Sequence, residues 1–85
     1  MLAIYSKNFK KQYKILPKNT REKFQSRLEM LLDNPNDSQL RRHKLSGPYN
    51  NLWSINITGD IRAVYEQIEN TYIFSAIGSH SELCK

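Results

Sequence analysis

Trp53-Ser54-Ile55-Asn56-Ile57-Thr58-Gly59-Asp60-Ile61-Arg62-Ala63-Val64-Tyr65-Glu66-Gln67-Ile68 reads as two strands and the turn between them. Trp53, Ile55 and Ile57 alternate with Ser54, Asn56 and Thr58, the period of a strand buried on one face. Gly59-Asp60 is a turn signal at the centre of a two-residue hairpin. Ile61 to Ile68 returns as the next strand. Asn70 supplies another turn, and Tyr72 to Ile77 makes a last strand. Gly78 ends it, leaving a short tail from Ser79 to Lys85.

Upstream of the hairpin the period changes. Gly47-Pro48 and Asn50-Asn51 mark an irregular loop. Before it, Leu40 to Leu45 is a short basic segment, either extended or a brief helical turn, and Asn36 to Gln39 is polar and turn-like. Phe24, Leu28, Leu31 and Leu32 recur at i, i+4, i+7 and i+8, an amphipathic helix that stops at Asn34-Pro35. Pro17 separates it from an earlier helix in which Phe9, Tyr13 and Leu16 form one stripe and Ser6 is a suitable N-cap. Leu2 to Tyr5 is a short apolar run fit for a first strand. The expected fold is α+β, one domain over residues 1–85. It has a strand at 2–5, helices at about 7–16 and 18–33, and a three-stranded antiparallel meander at about 52–57, 61–68 and 72–77. The helical hairpin covers one sheet face and leaves the other free to form a concave site.

Composition narrows the function classes. Eighty-five residues cannot hold a doubly wound nucleotide-binding sheet and a substrate domain together, so activity must sit on an open face or shallow cleft. The net charge is +5, unevenly placed. Residues 1–44 carry eleven basic and four acidic side chains, whereas residues 45–85 carry two and four. Charge alone leaves two readings: a face that meets a polyanion, or a solvated helical face that keeps the chain soluble. The single cysteine, Cys84, can form neither an intrachain disulfide nor a zinc site by itself, which suits a reducing compartment. No apolar run approaches the ~20 residues of a membrane span, and the N-terminus lacks a signal-peptide order of regions. A cytoplasmic chain with no membrane partner is expected.

Four residues invite chemistry. Arg62 lies in an otherwise apolar strand, where its guanidinium must reach water, a carboxylate or a phosphate. His80 follows Gly78-Ser79 at a strand end, placed to reach into a cleft on the sheet. His43 stands among Arg41, Arg42 and Lys44, and Asp60, a turn former, flanks Ile61 together with Arg62 at the hairpin. The three glycines are isolated, so no phosphate loop is present, and His43, His80 and Cys84 are too scattered to argue for zinc. What remains fits RNA cleavage without metal or other cofactor. There the 2′-hydroxyl is the nucleophile, and the protein holds the phosphate and moves protons.

Four segments taken together resemble the RelE/ParE superfamily of bacterial toxins from type II toxin–antitoxin pairs, in particular its RelE/StbE and YafQ-like mRNA interferases. They are His43-Lys44-Leu45-Ser46-Gly47, Leu52-Trp53-Ser54-Ile55, Gly59-Asp60-Ile61-Arg62-Ala63-Val64-Tyr65 and Ile77-Gly78-Ser79-His80-Ser81-Glu82-Leu83-Cys84. The likeness covers almost the whole chain. It implies a toxin that enters the ribosomal A site and cuts mRNA there without metal, leaving a 2′,3′-cyclic phosphate and a 5′-hydroxyl. It also implies a cognate antitoxin that neutralises the toxin, with operator DNA met only through the toxin–antitoxin complex.

The resemblance also implies roles for particular residues. His43 matches an active-site histidine and Asp60 a catalytic aspartate of YafQ-like members, which leaves the general base open between them. Arg62 matches an arginine used on the scissile phosphate, and His80 a candidate general acid. Cys84 stands where the family usually has an aromatic that stacks on a base, and Asn56 stands roughly where YafQ-like members have a second histidine. Lys7, Lys10, Lys11, Lys14, Lys18, Arg21, Lys23 and Arg27 become candidate contacts to ribosomal RNA, with Arg41, Arg42 and Lys44 nearer the cleft. Two other readings stay open: a ParE-like gyrase poison that catalyses nothing itself, and a weakened toxin kept for antitoxin binding and autoregulation.

Overall fold

The structure, a computed structural model, describes residues 1–45 and 51–83. Strand β1 (Leu2–Tyr5) leads into helices α1 (Lys7–Lys14) and α2 (Lys18–Asp33), then a 3-10 turn at Ser38–Leu40. Strands β2 (His43–Lys44), β3 (Leu52–Asn56), β4 (Ile61–Ile68) and β5 (Thr71–Ser79) follow, and a four-residue helix α3 (His80–Leu83) closes the described chain. The expected meander is the centre of a five-stranded sheet of order β1-β5-β4-β3-β2, with β1 parallel to β5 and every other pair antiparallel. The sequence reading placed β1 but not its partner, because a parallel pairing is made through a crossover and leaves no local turn signal. No helix among the described residues is long and apolar enough to cross a membrane.

The helices pack on one sheet face over an aromatic core. Tyr5 stacks on Phe9 at 5.1 Å between ring centroids, Phe24 meets Phe74 edge-on at 5.4 Å, and Tyr65 meets Tyr72 edge-on at 5.1 Å. Leu28, Leu31, Leu40, Ile55, Ile57, Ala63 and Ile77 complete it. These ring geometries are the ones the aromatic quadrupole favours. Leu32, counted in the α2 stripe from its spacing, is instead exposed.

Two local predictions change in detail. The turn between β3 and β4 holds residues 57–60 rather than two, and its tip is tied by the Thr58 hydroxyl, which accepts from the Asp60 and Ile61 amides at 3.3 and 3.0 Å. Leu40 to Leu45 takes both of its expected forms in succession. Asp37 caps the 3-10 turn through the Gln39 amide, Arg41 turns the chain with φ 46°, and β2 begins at His43.

The last strand departs most from its expected form. β5 does not stop at Gly78 but runs to Ser79, and it carries a bulge. Val64 pairs with Ala76 while Tyr65 pairs with Phe74, so Ser75 is the extra residue. The bulge restores the phase of the strand: Tyr72 and Phe74 face the helices, and so does Ile77, three residues further on. Helix α1 supplies the backbone partners that the broken ladder lacks. Ser6 caps α1 by accepting from the Phe9 amide at 3.1 Å and donates from the same hydroxyl to the Ser75 carbonyl at 3.3 Å. Asn8 donates to that carbonyl at 3.0 Å, and the Gln12 side-chain oxygen accepts from the Ile77 amide at 2.9 Å. A buried amide left without a partner costs about 1–3 kcal/mol. Gln12→Ala should therefore lower unfolding free energy by about that amount in urea denaturation, while Gln12→Glu, which keeps the acceptor, should lose less. Equal losses in both variants would remove the bond from the account of the bulge.

Candidate active site

The face opposite the helices carries the candidate residues. Along β4, Arg62 and Val64 point to that face, since Ala63 and Tyr65 point to the core. Register carries the same face across the sheet. Arg62 is opposite Asn56 on β3 and Gly78 on β5, Val64 is opposite Ser54, and Ser54 is opposite His43 on β2. Gly78 has no side chain to crowd the guanidinium beside it. His80 is fixed by its backbone, whose amide donates to the Asp60 carbonyl at 3.0 Å. The tail histidine is thus held against the β3–β4 turn as the first residue of α3.

His43, Arg62 and His80 line one shallow depression with Leu45, Ser54, Val64 and Leu83. Its free volume is about 30 Å3, far below the several hundred Å3 (roughly 300–1,000) of cavities that enclose an organic ligand, so a nucleotide would lie on the surface. The face is not as free as the sequence reading expected. Ser54 and Val64 are buried beneath it, and Leu45 and α3 form the walls. In sheet order, Arg62 on β4 lies between His80, just beyond β5, and His43 on β2.

A backbone carbonyl orients the His43 ring. The Nδ1 of His43 lies 3.1 Å from the Arg41 carbonyl oxygen. A carbonyl only accepts, so in the neutral ring this bond places the proton on Nδ1 and leaves the Nε2 lone pair available as a base. The carbonyl is presented by Arg41's left-handed backbone, a conformation costing roughly 1–2 kcal/mol for a residue with a side chain. Arg62 is partly exposed and spends one donor on the Gly59 carbonyl at 3.3 Å, leaving the rest of its fork for a ligand.

The remaining candidates scatter. Asp60 is exposed at the turn and does not line the depression. Arg42 is engaged elsewhere, with its guanidinium 4.5 Å from the Trp53 ring centroid and a bond to Asn36 at 3.4 Å. Lys44 is exposed and, opposite Trp53, belongs to the other face of β2. Lys7, Lys10, Lys11, Lys14, Lys18 and Arg21 lie on the helices across the sheet from the depression. Lys10, Lys14 and Arg21 rim an aromatic-lined groove between α1 and α2. Cys84, Ser46 and Gly47 lie outside the described residues. Tyr5 and Tyr65 have side chains raised above the usual tyrosine range, in each case first by burial; both belong to the core face. Ser54 is the polar lining residue the sequence reading passed over, beside the apolar Leu45, Val64 and Leu83. Its signal was parity, since it shares the polar phase of β3 with Asn56.

A family model described as the bacterial toxin of type II toxin–antitoxin system, YafQ, matches residues 2–85. The chain belongs to the YafQ toxin family. It is the toxin of a type II toxin–antitoxin system. Solved structures share its fold. Escherichia coli YafQ from strain BL21(DE3) superposes with a TM-score of 0.83 at 20% identity, over 98% of this chain and 97% of that one. YafQ in the E. coli DinJ–YafQ toxin–antitoxin complex gives 0.81 at 20% identity, over 98% and 96%. A YoeB/ParE toxin from Agrobacterium tumefaciens gives 0.80 at 18% identity, over 94% and 99%. No curated protein matches the chain.

The tautomer of this toxin's His43 is directly measurable. Nitrogen-15 NMR at a pH where the ring is neutral should find Nδ1 protonated and Nε2 bare. A ring carrying its proton on Nε2 would exclude the Arg41 carbonyl bond.

Proposed function

We propose that this toxin is a ribosome-dependent mRNA endonuclease, and that His43, Arg62 and His80 perform the cleavage. The observation that carries this reading is the order of the three on one face: two histidines with an arginine between them. Transesterification by the 2′-hydroxyl needs the attacking and departing oxygens on opposite sides of phosphorus. A base and an acid must therefore flank the phosphate. Adjacent strands lie about 4.8 Å apart, so His43 is roughly 10 Å from the β4 backbone across two strand spacings, room enough for a phosphodiester between the walls.

In this reading the bare Nε2 of His43 takes the proton from the 2′-hydroxyl. The oxygen attacks phosphorus and the bond to the 5′-oxygen breaks. His80 protonates that leaving oxygen, giving a 2′,3′-cyclic phosphate and a 5′-hydroxyl. Arg62 holds the non-bridging oxygens, where negative charge grows in the transition state. Asp60 acts through its backbone, by anchoring His80, which favours His43 over Asp60 as the base. The open, shallow form of the depression fits a substrate presented by a larger body, and the ribosome is that body in this proposal. A cognate antitoxin is the expected partner, as E. coli YafQ has in its complex with DinJ. Two histidines flanking an arginine also favour RNA cleavage over gyrase poisoning, which calls for no acid–base pair.

Purified toxin added to ribosomes programmed with a defined mRNA tests the assignment. His80→Ala and Arg62→Ala should each lower the cleavage rate about 10²- to 10³-fold, with the fold retained by circular dichroism. His43→Ala should lose at least tenfold more than Asp60→Asn. The reverse ranking would make Asp60 the base, and wild-type rates in the double variant Arg62→Ala/His80→Ala would remove the site altogether.

A further inference from the structure

A second cavity opens beside the depression and shares Arg62 with it. This groove, about 550 Å3, runs between α2, the 3-10 turn and the β3–β4 turn. Lys23, Arg27, Arg41 and Arg62 line it together with the polar side chains of Asn56 and Thr58, and among the described residues no acidic side chain does. Its size is that of a cavity for a small organic ligand, but such cavities are mostly apolar. Four cations around a polar cleft instead concentrate positive potential where field lines are focused, which is the setting for a chain of phosphates.

Two features of these arginines point the same way. Arg27 turns inward to bond the Gln39 side chain at 3.1 Å, yet its Nε is enclosed without a hydrogen-bond partner. Rotation toward an anionic ligand exchanges the neutral Gln39 bond for charge-assisted ones and gives the enclosed Nε a partner. Arg41 holds a left-handed backbone, and that one residue serves both places: its carbonyl meets His43 while its side chain lines the groove.

We propose that this groove binds the sugar–phosphate backbone of RNA, carrying it away from the phosphate held at Arg62. The inference rests on the reading of Arg62 as the scissile-phosphate ligand. Lys23, Arg27 and Arg41 position the strand by its phosphates and read no sequence. The same chemistry is offered by two RNAs, the strand being cut and the ribosomal RNA around it.

The test uses full-length toxin with Lys23→Gln, Arg27→Gln and Arg41→Gly, singly and combined; glycine at 41 keeps the left-handed backbone and its carbonyl. One arm measures binding of a short single-stranded oligoribonucleotide, made uncleavable by 2′-deoxy substitution, across a salt series. The other measures co-sedimentation with ribosomes. Each single change should flatten the salt slope by about 0.7 and weaken binding about fivefold near ~0.1 M salt, and the triple about a hundredfold. Loss in the first arm identifies the cut strand as occupant, and loss confined to the second identifies ribosomal RNA. Unchanged binding of the triple in both arms overturns the groove, even where the wild type cuts mRNA. A triple that loses RNA binding, made from a wild type that binds RNA but cuts none, keeps the groove and overturns the proposed nuclease instead.

Discussion

Ser75 is one residue more than the β5 ladder can pair, and the side chains on either side of it depend on that surplus. With a regular strand, Ile77 would leave the core for the outer face and Gly78 would turn inward. With the bulge, Ile77 stays under the helices and Gly78 lies beside Arg62. The strand then ends in the register that lets the His80 amide reach the Asp60 carbonyl. Helix α1 holds this arrangement from the far side of the sheet through Ser6, Asn8 and Gln12. Polar residues that touch no part of the site thereby set its geometry.

The division of labour between the two sheet faces follows from the same constraint. One face is closed by aromatic packing and confers stability. The other is closed only in part, by Leu45 and α3, and keeps its charged groups at the surface. A chain of eighty-five residues has little core to spare, so a deep pocket is out of reach. The chemistry proposed for it needs none, because the substrate brings its own nucleophile.

The sequence disclosed the local features. Period-2 alternation found β3 and β4, helical stripes found α1 and α2, and the odd settings of Arg62 and His80 made them candidates, which the fold brings to one depression. Long-range features stayed hidden for physical reasons. The pairing of β1 with β5 leaves no turn between them to read, and β2 is only two residues long. The bulge did leave a trace, since Tyr72, Phe74 and Ile77 are spaced two and then three, but the step reads equally well as an ordinary strand end. Lysine count misled in another way. The α1 lysines form the densest basic run in the sequence yet stand across the sheet from the depression, while Lys23, Arg27 and Arg41 gather next to it. Only the fold decides which charges become neighbours. Parity made Ser54 and Asn56 available once β3 was drawn, and register was needed to bring them beside Arg62.

Attack by the substrate's own 2′-hydroxyl is the step on which the reading of the depression stands. Its most direct test is a programmed ribosome carrying an mRNA with a single 2′-deoxynucleotide on the 5′ side of the cleaved bond, alongside unmodified mRNA, with both products analysed by mass spectrometry. The expected result is no cleavage at the deoxy position and a 2′,3′-cyclic phosphate end on the unmodified strand. Cleavage through the deoxynucleotide, or a 3′-hydroxyl end on the unmodified product, would contradict it.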